Sequence, residues 1–101
     1  MPDMPAIAID RRDEGNRGRY AGIIDGVEGE AQLLFTRRSA DLLSADHAEA
    51  PMSMRGTGAA LALVERMVDD ARRENFKILP RCSYVRYQFA QHPEWADVLA
   101  Q

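Results

Sequence analysis

The chain has 101 residues, 46% of them hydrophobic and 29% charged, which is enough for one domain with a single core and too little for two. A formal net charge of −3 excludes a general basic field for wrapping nucleic acid, and a single cysteine, Cys82, excludes an internal disulfide or a Cys-x-x-Cys pair. No apolar run approaches the roughly 20 residues of a membrane span, and the first five residues lack the charged-then-apolar pattern of a secretion signal, so the chain reads as one cytoplasmic domain over 1–101.

In chain order, Ala6–Ile9 is a short apolar strand, and Asp10–Asn16 reads as a charged, Gly/Asn-bearing turn. Arg19–Ile24 is a second strand, closed by Asp25-Gly26, a dipeptide that tolerates positive φ in a tight turn. Glu30–Arg37 is a third, followed by a turn at Ser39–Asp41. Three strands joined by hairpins result. Asp41–Ala50 is a weak strand on propensity, because alanine and aspartate are poor strand formers, and Pro51 ends it. Met52-Ser53-Met54 then leads into Arg55-Gly56-Thr57-Gly58.

From Ala59 to Glu74 the apolar positions Ala60, Val64, Met67, Val68 and Ala71 form a stripe with helical period. The charged positions from Glu65 to Arg73 read as a solvated face. Arg72 and Arg73 suit the last turn, and Asn75 suits a left-handed closing residue. Phe76–Pro80 is a strand, Tyr84–Gln91 a helix, and Pro93-Glu94 opens a short terminal helix packing Trp95, Val98 and Leu99. Strand–helix–strand from Leu42 to Leu79 requires a crossover and hence parallel pairing. The fold class is α/β, a mixed sheet with antiparallel strands first and strand–loop–helix–strand–helix after.

The glycine loop is the richest chemical signal. Two glycines one residue apart at a helix N-terminus expose backbone N–H groups at the positive end of the helix dipole, a natural anion site, and Arg55 adds a full charge. The dinucleotide fingerprint needs a small residue where Leu61 stands, and the triphosphate loop needs Gly-Lys-Ser/Thr, which is absent.

Met54–Ala59 resembles the pyrophosphate loop of the GCN5-related N-acetyltransferases, with Gly56 and Gly58 matching and Ser53 standing where Gln or Arg is usual. His47-Ala48-Glu49-Ala50, Lys77-Ile78-Leu79-Pro80-Arg81-Cys82-Ser83-Tyr84-Val85 and His92-Pro93-Glu94-Trp95 resemble, in order and spacing, a compact stand-alone subfamily of that family. The resemblance covers about Tyr20 to Leu99. Ala48, Ala50 and Gln88 depart from its usual pattern. It implies acetyl-CoA as cosubstrate, its diphosphate held by the N–H groups of Arg55, Gly56, Thr57, Gly58 and Ala59 with Met54 leading in. The pantetheine arm then pairs with the strand ending near Ala50, and the thioester lies between two splayed strands.

The expected reaction is acetyl transfer to an unidentified amine; the alternative is a coenzyme A binding module without efficient turnover. Cys82 opens a helix, whose dipole, with Arg81 and Arg86, favours a thiolate able to accept the acetyl group or simply to line the pocket. An amine attacking the thioester must lose a proton, for which Glu49 is the candidate base and His47 its competitor. Tyr84 or Tyr87 is the candidate donor to the leaving thiolate. Arg66 and Arg73 are candidates to reach a 3′-phosphate. His92-Pro93-Glu94-Trp95 reads as structural, and Cys82, His47 and His92 lack the spacing of a metal site. With so little chain before the first strands, the acceptor site is expected to be open, or to be completed by a second copy or a partner protein.

Overall fold

The antiparallel half of the sheet forms because each apolar stretch alternates and ends at residues that accept a turn. The computed structural model describes residues 6–100, with strands β1 (Ile7–Glu14), β2 (Arg17–Ile24), β3 (Ala31–Ser39), β4 (Leu42–Glu49) and β5 (Lys77–Pro80), and helices α1 (Ala59–Glu74) and α2 (Ser83–Gln91). Short 3-10 segments cover Met52–Met54 and Pro93–Val98. The sheet order is β1-β2-β3-β4-β5, antiparallel up to β4 and parallel between β4 and β5, as the crossover through α1 requires. The tail runs beside β5 through a bridge between Ile78 and Leu99 and a bond from the Ala100 N–H to the Ile78 carbonyl.

Two elements differ from the sequence reading. The Asp10–Asn16 segment is mostly strand: β1 continues to Glu14, pairing Arg11 with Tyr20 and Glu14 with Arg17, and only Gly15-Asn16 turns. The charged residues continue the alternation, with Arg11 on the core side of the sheet and Arg12 on the other. The weak segment Asp41–Ala50 forms β4, held between β3 and β5, so pairing on both sides outweighs poor propensity.

β4 carries a bulge. Phe35 pairs with Ala45 and Leu34 with His47, leaving Asp46 as the extra residue. Its carboxylate accepts from Thr36 Oγ1 at 2.6 Å and Ser44 Oγ at 2.8 Å, and Arg38 Nε donates to that serine at 2.9 Å. The bulge changes which face the strand presents. Ala45 shares the core side with Phe35, but beyond Asp46 it is Ala48 that turns to the core, while His47 and Glu49 share the opposite face with Leu34 and Gln32.

On the core side lie Tyr20, Leu33, Phe35 and Leu43 from the sheet and Leu63, Val64, Met67 and Val68 from α1, joined by Val85, Phe89, Trp95 and Val98. Gly18 is needed for this packing: a β-carbon there would sit 2.4 Å from the Phe35 ring and 2.7 Å from the Arg12 carbonyl oxygen. α1 closes as expected, with Asn75 left-handed at φ 61° and the Phe76 N–H bonded to the Ala71 carbonyl. Its charged face is not uniformly solvated, because Asp70 is only 2% exposed.

Candidate functional site

The glycine loop keeps its N–H groups available through a specific backbone path. Gly56 and Gly58 have φ of 80° and 79°, the left-handed region that other residues enter only at a cost, and a β-carbon on either would meet no atom within 4 Å. Glycine is therefore required by conformation, and the space beside both residues is open. Ser53 Oγ donates to the Glu28 carbonyl at 2.6 Å, fastening the segment before the loop to the β2–β3 connection. Met54 is buried in the core, and its carbonyl accepts from both the N–H and the hydroxyl of Thr57, so it anchors the loop from beneath.

Of the five N–H groups expected to face a diphosphate, three are engaged within the chain: Arg55 with the Met52 carbonyl, Thr57 with the Met54 carbonyl and Ala59 with Thr57 Oγ1. The N–H groups of Gly56 and Gly58 have no acceptor among the described residues, and neither do those of Ala60 and Leu61 in the first turn of α1. The open donors thus extend from the loop into the first turn of α1. Arg66 and Arg73, the candidates to reach a 3′-phosphate, both donate to the carboxylate of Asp70.

The second half of the site is the gap where β4 and β5 part. β5 accompanies β4 only from Leu42 to Ala45. The Ala45 carbonyl then accepts the N–H groups of Arg81 and Cys82 at 2.9 and 3.0 Å, and the chain leaves the sheet into α2. His47 to Glu49 therefore have β3 on one side and no strand on the other. Cys82 is the N-cap of α2 and half-buried against the core. Arg86 is folded back onto the carbonyls of Arg81 and Pro80, at 2.8 and 3.4 Å.

Glu49 is exposed and pairs with His47, Oε1 to Nε2 at 3.0 Å, so the two competitors for the base role form one unit. Glu49 lies four residues beyond the Ala45 carbonyl that holds Cys82, roughly 13 Å along the strand. Glu49 and Cys82 are thus on the same gap without being in contact. Tyr84 stands in the first turn of α2, where burial pushes its phenol above the usual range against an opposing contact from Gln88. His92 closes α2 by bonding through Nδ1 to the Gln88 carbonyl at 2.7 Å and stacks on Trp95 at 4.0 Å, as its structural reading expects. Among the described residues no group of three or more His, Cys, Asp or Glu side chains is placed to hold a metal ion.

Two residues escaped the sequence reading. Asp70 lies beneath the sheet, accepting from Tyr20 Oη at 2.8 Å and Arg11 at 3.1 Å as well as from Arg66 and Arg73. Arg11 also bonds to Glu74 at 2.8 Å and lies over the rings of Tyr20 and Phe35. The available signal was an aspartate flanked by arginines on α1 together with an arginine at an inward-facing position of β1.

A mixed sheet whose parallel β4–β5 pair opens beside a glycine-led helix defines a protein of the acetyltransferase class. The description "GCN5-related N-acetyl-transferase" matches residues 19–98, and the chain belongs to that family. A GCN5-like protein from Staphylococcus aureus, whose solution structure was determined by NMR, shares this fold at a TM-score of 0.61 and 20% identity, over 90% of this chain and 87% of that one. No curated protein matches the chain.

Proposed function

We propose that this chain is an acetyl-CoA-dependent N-acetyltransferase, with the cosubstrate's diphosphate held at Gly56, Gly58, Ala60 and Leu61. The observation that carries this reading is four unpaired N–H groups at one helix N-terminus, beside two glycines whose missing side chains leave open space. Four donors and a helix dipole suit a doubly charged diphosphate, and Arg55, exposed on the same loop, adds charge. Family membership supports acetyl-CoA as the ligand. When bound, acetyl-CoA supplies an activated acetyl thioester. The finer placement, in the compact stand-alone subfamily, rests on the motifs around Glu49, Cys82 and His92.

The chain's own residues divide the remaining work. The backbone of β4 from His47 to Glu49, unpaired on the β5 side, is the edge along which a pantetheine amide chain can bond. Glu49, with His47 beside it, takes the proton that an attacking amine must lose, directly or through water. Tyr84, in the first turn of α2, offers a proton to a thiolate. Cys82 lines the gap at its closed end. A binding module without turnover is the second reading, favoured by the separation of Glu49 from Cys82 along β4.

The test is calorimetry with acetyl-CoA on the wild type and on Gly56→Val. A β-carbon at this position has no atom within 4 Å, so the fold should survive with a left-handed backbone strain of about 1–2 kcal/mol, while the side chain occupies the open space and binding should fall at least about a hundredfold. Unchanged affinity in a folded variant rejects the loop as the diphosphate site. Release of free coenzyme A in the presence of amines separates the enzyme from the module.

A further inference from the structure

The face of the sheet turned away from α1 carries a groove of about 790 Å³ to which neither helix contributes a lining residue. Its charge is opposite to that of the whole chain. Arg12 from β1, Arg17 and Arg19 from β2, Arg38 from β3 and Arg81 beyond β5 line it, against the two carboxylates of Glu14 and Asp46. Asp46 is already satisfied by Thr36 and Ser44. Arg12, Arg19 and Arg38 have partners at Asp10, Glu30 and Ser44, but Arg17 and Arg81 have no side-chain hydrogen bond or ion pair among the described residues. Leu34 gives the groove an apolar floor.

The groove and the gap share a face. Leu34 lines the groove and pairs with His47, so the bulge at Asp46 puts His47 and Glu49 on the arginine side. Arg81 joins the two, since its side chain lines the groove and its N–H is fixed at Ala45 where β4 and β5 part. From β1 to β4 the groove crosses three strand spacings, roughly 14 Å, the length of four or five extended residues. No exposed aromatic ring lines it for base stacking, and Phe35 is only 3% exposed, which argues against a nucleic acid.

We propose that the acetyl acceptor is an amine on an acidic peptide segment, which lies across these arginines and brings its amine to the gap beside Glu49. The acceptor role rests on the acetyltransferase reading above; the binding of an acidic segment does not. In the transfer, the amine nitrogen bonds to the acetyl carbon as the carbon–sulfur bond of acetyl-CoA breaks. Of the two protons lost by the ammonium, one leaves with the coenzyme A thiol and one passes to solvent.

The experiment uses three fluorescent peptides with one lysine each, flanked by glutamates, serines or arginines, and measures anisotropy at low and high salt and acetylation by acetyl-CoA. The glutamate peptide should bind at least about tenfold more tightly than the serine peptide, lose that margin at high salt, and show the lowest KM. Arg12→Glu with Arg17→Glu should abolish the preference, and Arg12→Gln with Arg17→Gln should weaken it if the reversal fails to fold. Equal binding of all three peptides, a preference untouched by both variants, or tighter binding of a single-stranded oligonucleotide than of the glutamate peptide overturns the proposal. Acidic-peptide binding without acetyl-CoA binding leaves the groove standing and removes the acetyltransferase reading. Acetyl-CoA turnover with no acidic preference does the reverse.

Discussion

Asp70 is the residue with the greatest structural consequence outside the candidate site. Burial alone would raise its pKa, but the Tyr20 hydroxyl and the charges of Arg66 and Arg11 outweigh burial and hold the carboxyl below the usual carboxylate range. Burial, followed by the bond to Asp70, pushes the Tyr20 phenol well above its ordinary value, so it remains a donor. Asp70→Ala strands that hydroxyl and leaves Arg66 without its carboxylate, and should cost about 3–5 kcal/mol in urea denaturation. The pH dependence has a definite sign. A carboxyl lowered in the folded state binds its proton first in the unfolded state, so stability is complete above about pH 4 and falls as pH drops through the folded value. Asp70→Asn should flatten that acid limb. At Cys82 a covalent role predicts an acetyl adduct in intact mass after incubation with acetyl-CoA, absent in Cys82→Ser, whereas pocket lining predicts no adduct in either. The glycines of the loop were legible because φ above zero is written in residue type. The Asp70 cluster was not, because the partners of a buried charge come from strands and helices far apart in sequence.

At the scale of elements, glycine positions separate two physical demands. Gly56 and Gly58 answer to backbone conformation, whereas Gly18 answers to close approach by the Phe35 ring and the Arg12 carbonyl. Gly18→Ala should therefore destabilise the fold by about 1–3 kcal/mol in thermal or chemical melts, through displaced packing between β1, β2 and β3. The α1 stripe, its asparagine close, the parallel return of β5 and the α2–Trp95 packing could all be read from periodicity and caps. The true extent of β1 could not, because its charged half alternates correctly only when Arg11 is known to have partners inside. β4 was legible as a segment between turns, but its bulge depends on side-chain bonds from Thr36 and Ser44 that no local pattern announces.

For the molecule as a whole, the sheet separates two chemical environments. One face packs on α1 and carries the core; the other presents the arginine groove together with His47 and Glu49. Among the described residues no helix is long and apolar enough to cross a membrane. One hydrophobic cluster takes residues from both helices and every strand except β1, whose Ile7 and Ile9 pack against it. The family and the architecture follow from motif order and periodicity, while the charge of the arginine face emerges only when the bulge and the strand register put distant arginines side by side.

The tail beside β5 decides which margins of the sheet stay open. By bonding to Ile78 it covers the outer margin of β5, so among the described residues the open strand edges are β1 and the stretch of β4 from His47 to Glu49. The β1 edge carries Asp10, Arg12, Asp13 and Glu14 within its eight residues, a charged border that resists non-specific strand addition.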